Sequence, residues 1–122
     1  MNKEYRVFLV GFFLSLSLSF LISPAVYAEQ SPESYKAQAN NDAQVAQQLV
    51  AQAAAMLKQG QVSRESLQVA MRLYAQAGQL FEKAGNVYKS LGPEYATPQD
   101  VQGAFNAMQQ CVNMIEEIRK RI

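Results

Sequence analysis

Between residues 66 and 93 the chain counts in sevens: Leu73-Tyr-Ala-Gln-Ala-Gly-Gln runs into Leu80-Phe-Glu-Lys-Ala-Gly-Asn and then into Val87-Tyr-Lys-Ser-Leu-Gly-Pro. A fainter unit, Ser66-Leu-Gln-Val-Ala-Met-Arg, precedes them. The second place of each unit holds Leu67, Tyr74, Phe81 and Tyr88, and the fifth holds Ala70, Ala77, Ala84 and Leu91. Steps of three and four residues place all eight on one stripe of a helix. With Leu73, Leu80 and Val87 on one flank and Met71, Gly78 and Gly85 on the other, the apolar arc covers about 140°, enough to touch two neighbouring helices.

Each glycine inside a helix costs on the order of 1 kcal/mol relative to alanine. Gly78 and Gly85 stand in register beside the aromatics, and a neighbour whose backbone comes close is the expected reason. The expected neighbour lies upstream. There Ala39, Ala43, Ala46, Val50, Ala53 and Leu57 form a seam of mostly small residues that lets another backbone approach.

The remaining boundaries are equally legible. Ser31-Pro32-Glu33 offers a cap, a proline at the first helical place and an acid in the first turn. Gly60 is the expected left-handed end of that first helix. Ser63 and Glu65 open the second helix, with Val62 and Leu67 at the two places of a hydrophobic staple. Leu91-Gly92-Pro93 closes it, and Thr97-Pro98-Gln99-Asp100 opens a third. Val101, Ala104, Met108, Cys111, Ile115, Ile118 and Ile122 mark the third seam, flanked by Phe105 and Val112. Short connections make successive helices antiparallel neighbours. The expected fold is therefore all-α, an up-down-up antiparallel three-helix bundle over about 32–59, 64–91 and 98–121, as a single domain of residues 29–122. The rhythm of alanines and aromatics is similar to that of small three-helix interaction modules and helical-hairpin repeat proteins, a likeness of packing only.

Residues 1–28 read as an export signal. Lys3 and Arg6 precede an apolar run from Val7 to Ile22, and Val26-Tyr27-Ala28 places small side chains at the third and first positions before a cut. Retention of this segment would instead make the chain a membrane-tethered envelope component.

The full chain carries 11 basic and 10 acidic side chains. Removing Lys3, Arg6 and Glu4 with the signal leaves the two signs equal in number, so charge gives no reason to expect nucleic acid as a partner. There is no histidine and a single cysteine, Cys111. Imidazole-based triads, histidine-ligated metals and disulfide frameworks are excluded by that composition. Glu116 and Glu117 are adjacent and diverge on a helix, and no glycine-rich phosphate loop is present. No catalytic residue, metal ligand or cofactor is expected.

What remains is an exported, non-catalytic protein of the envelope or medium that works through contact with another protein or with itself. The alternative is a carrier of a small apolar ligand held beside Tyr74, Phe81, Tyr88 and Cys111, residues that otherwise form a packing stripe. The membrane is a partner only if residues 1–28 persist. Mass spectrometry of the exported protein is expected to find a mature chain beginning at Glu29; a chain still beginning at Met1 would point to the tethered form.

Overall fold

The computed structural model describes residues 31–122. The export signal expected at residues 1–28 lies outside them. Three helices account for nearly all of the described chain, α1 (Pro32–Leu57), α2 (Arg64–Leu91) and α3 (Pro98–Arg121), and there is no strand among the described residues. Pro32–Ile122 forms one compact unit.

Local chemistry sets the helix ends. The Ser63 side chain accepts a hydrogen bond from the Ser66 amide at 3.1 Å and opens α2. At α3 the Thr97 hydroxyl accepts from the Asp100 amide at 3.1 Å while Asp100 Oδ2 accepts from the Thr97 amide at 2.9 Å. Two amide donors that the helix cannot satisfy are thereby paired reciprocally. Gly92 ends α2 with φ 83° and ψ 172°, a region open almost only to glycine. The turn it starts is closed by the Ala96 amide donating to the Gly92 carbonyl at 3.0 Å. Two details differ from the sequence-based expectation. The first helix ends at Leu57 rather than at residue 59, and Gly92 is the sole positive-φ glycine among the described residues, so Gly60 is no left-handed cap. The stretch from Lys58 to Val62 is a relaxed turn in which a glycine imposes nothing.

The repeat of α2 is the centre of the core. Leu67, Ala70, Tyr74, Ala77, Phe81, Ala84 and Tyr88 are all buried, with Gly78 and Gly85 beside them, while Leu91 at the helix end is half-buried. Ala70 and Ala77 share one cluster with Ala46, Leu49 and Ala53 of α1, and Ala84 and Tyr88 share another with Ala39. α2 packs along both neighbours, whereas α1 and α3 barely meet. The first half of α1 meets the second half of α2 through Asn40–Tyr88 and Asp42–Lys83. On the other side, Gly85 lies against Phe105 and Gly78 against Cys111. Each adjacent pair therefore runs in opposite directions.

Those two glycine contacts correct the assignment of their neighbour. A Cβ at Gly78 would meet Cys111 Cβ at 3.4 Å, and one at Gly85 would meet the Phe105 ring at 3.0–3.1 Å, so the close approach is to α3 and not to the alanine seam of α1. The alanines of α2 lie on the opposite side of its aromatics and serve α1. The α1 seam is also turned by one residue. Ala39, Ala46, Leu49 and Ala53 are buried, while Ala43 and Val50, expected in the seam, are only half-buried. Positions 42 and 49 flank the alanine line on one side and 43 and 50 on the other; the polar Asp42 disguises the side that packs. In α3 the buried residues are Ala104, Cys111 and Ile118, whereas Ile122, expected in the seam, and Val112, expected on its flank, are 42% and 40% exposed.

Gly78→Ala is expected to stabilise by up to about 1 kcal/mol, since its new methyl group makes ordinary contact and the helix gains propensity. Gly85→Ala is expected to fall short of that, because the Phe105 ring has to shift. Urea denaturation of both variants checks this, and equal gains would remove contact with Phe105 as the reason for a glycine at position 85.

Candidate functional site: a groove over the aromatic ridge

Because the alanine edge of α2 serves α1 and the glycine edge serves α3, the aromatic row between those edges faces neither helix squarely. It forms the floor of a groove of about 560 Å³ between α1 and α3. Tyr74, Phe81 and Tyr88 line the floor; Ala43, Gln47 and Val50 line the α1 wall; Gly103, Ala104, Ala107, Cys111 and Met114 line the α3 wall. The exposed side chains of Gln47, Gln99 and Gln110 form a neutral polar rim. From Tyr74 to Tyr88 the floor rises roughly 21 Å along the helix. All four residues singled out from the sequence, Tyr74, Phe81, Tyr88 and Cys111, are thus brought together along one surface.

The two tyrosines differ in their partners. The Tyr88 hydroxyl donates to Asn40 Oδ1 on α1. Tyr74, only 4% exposed, makes no hydrogen bond among the described residues. Burial pushes both phenols above their ordinary 10.0. Negative charge adds to this: from Cys111 when ionised for Tyr74, and from Asp100 and Asp42 for Tyr88. The buried thiol of Cys111 is also pushed up from 9.0 by desolvation. At neutral pH the groove therefore presents neutral O–H and S–H donors, and the thiol has little of the thiolate character that a nucleophile needs. Asp100 is the sole charged residue in the lining, and its carboxylate is held in place by the α3 cap.

Sequence reasoning did not single out Gly103 or Ala107, and it placed Ala43 in the packing seam of α1 rather than in a groove. A Cβ built on Gly103 meets nothing within 4 Å, so this glycine, unlike Gly78 and Gly85, has no packing reason. A glycine inside a helix with no neighbour to accommodate was the available signal, and it marks a wall kept low. Among the described residues no group of three or more His, Cys, Asp or Glu side chains converges as a metal site. None of the described helices is long and apolar enough to cross a membrane. Comparison with protein-family models, curated proteins and solved structures gives no match to this chain.

At the Tyr88 end an ion pair joins α1 to α2, Asp42 Oδ2 lying 3.7 Å from Lys83 Nζ. Burial raises the Asp42 carboxyl above 3.8, and the attraction of Lys83 offsets this only in part. A folded-state value above the unfolded one means that the protonated acid favours folding. That contribution is complete below 3.8 and is lost as pH rises through the raised value. Asp42→Asn is accordingly expected to be at least as stable as the parent at pH 7 and to flatten the acid limb of its stability profile. Lys83→Met, which leaves the carboxylate unpaired, is expected to lose under about 1 kcal/mol at pH 7 and to regain it on acidification. Thermal unfolding across pH 3–7 checks both.

Proposed function

We propose that the chain is an exported, non-catalytic helical protein that works by holding an apolar group in the groove between α1 and α3. The single observation that carries this is the placement of Tyr74, Phe81 and Tyr88: a regular aromatic row that lines the floor of a groove between α1 and α3. Export rests on the signal pattern of residues 1–28, and the absence of chemistry rests on the lack of histidine and on a thiol that burial keeps protonated.

Sequence reasoning ranks contact with another protein first. The groove favours a small apolar molecule instead. Its volume falls within the range usual for small-molecule sites. Contact with another protein or a second copy keeps one observation in its favour, the exposed Val112 and Ile122 on α3.

Gly103→Leu separates the two. The substitution puts an apolar side chain on the groove wall at a position where a Cβ meets nothing within 4 Å, and it improves helix propensity, so folding is expected to be preserved. Native mass spectrometry and organic extraction of the protein purified from an exporting host are expected to show a bound apolar compound near one equivalent, displaced in Gly103→Leu. A parent protein that binds no apolar compound, yet retains a protein partner that Gly103→Leu leaves in place, would overturn the carrier in favour of contact through the outer face of α3.

A further inference from the structure

The groove has a direction, because its two ends offer different chemistry. At one end Tyr74, a buried residue, lines the groove and makes no hydrogen bond among the described residues, and the thiol of Cys111 lies near its phenol. At the other end the Tyr88 hydroxyl is already committed to Asn40, and the Asp100 carboxylate faces the lining. A buried hydroxyl without a partner costs about as much as its lost hydration. A ligand atom that accepts from it recovers that cost.

Resting on the groove as the binding site, we infer that its ligand is an uncharged single-chain amphiphile, a long alkyl chain bearing a carbonyl-type acceptor that receives hydrogen bonds from Tyr74, with the chain extended over Phe81. Charge complementarity selects the neutral head. No lysine or arginine lines the groove, so a carboxylate or phosphate would enter a largely apolar slot without a counter-ion and share it with Asp100. The phenol is a dependable donor, since burial holds it protonated well past neutral pH. Shape suits the extended chain, because the floor runs roughly 21 Å along α2 and the groove over it holds about 560 Å³. Gly103 and Ala107 keep the α3 wall low enough for that chain to lie against Phe81.

The test uses the folded exported protein, with methyl dodecanoate, dodecanoate and 1-chlorododecane as probes and tyrosine fluorescence as the readout, since the chain has no tryptophan. Methyl dodecanoate is expected to bind roughly threefold to tenfold more tightly than 1-chlorododecane, the difference one hydrogen bond makes, and dodecanoate at pH 8 at least as weakly as the chloride. Tyr74→Phe is expected to erase the preference of ester over chloride without lowering thermal stability. A purely structural hydroxyl would instead lower stability on removal. Dodecanoate binding as tightly as the ester, or an ester preference that survives Tyr74→Phe, would overturn the proposed ligand while leaving an apolar groove intact. Failure of all three probes to bind would overturn the groove itself as a ligand site.

Discussion

One helix serves two neighbours with two different edges, and the rest of the structure depends on how those edges are made. α2 offers alanines to α1 and glycines to α3, each edge small enough for a backbone to come near. Small residues bury little area individually, so their contribution lies in bringing helices close rather than in the area each covers. The large apolar area sits between the edges, in Leu67, Tyr74, Phe81 and Tyr88. Because the edges draw α1 and α3 to opposite sides of that row, the row is buried by the flanks of both helices and capped by neither. A groove is the geometric consequence of a seven-residue repeat whose bulky position lies between two small ones.

The polar groups around the groove follow from the same arrangement. Tyr88 lies where the first half of α1 passes, so its hydroxyl finds Asn40, with Asp42 and Lys83 one turn away. Tyr74, two repeats earlier, lies in the same lining as Val50 and Met114 and makes no hydrogen bond among the described residues. Residues equivalent in the repeat thus have unequal surroundings, because the neighbouring helices do not share the period. Chemical difference along the groove comes from the walls rather than the floor.

Much of the fold was legible because capping, proline and glycine chemistry is local. Pro32, Ser63, Thr97 and Gly92 all stand where their side chains or permitted dihedrals require, and the bounds of α2 and α3 agree with those expected. The seven buried positions of the repeat were readable for a similar reason, since its period is unbroken over four units. The seam of α1 was harder to read. Its alanine line is flanked by Asp42 and Leu49 on one side and by Ala43 and Val50 on the other, and hydropathy favours the second pair. The structure packs the first, because Lys83 is within reach of Asp42 and the groove accommodates Ala43 and Val50.

The sequence by itself determined that this chain is helical, where α2 and α3 start and stop, which face of α2 is buried, and that no imidazole is present. Each of these depends on residue identity and on spacing within a few turns. Only the tertiary structure decided which helix each edge of α2 meets, that Gly103 borders open space while Gly85 faces a ring, and that among the described residues Tyr74 is left without a hydrogen-bond partner where Tyr88 has one. Those outcomes depend on the rotation of one helix about its axis relative to another. A shift of one residue turns a helix by about 100°, and its own sequence period leaves that rotation unspecified when both flanking rows are compatible with burial.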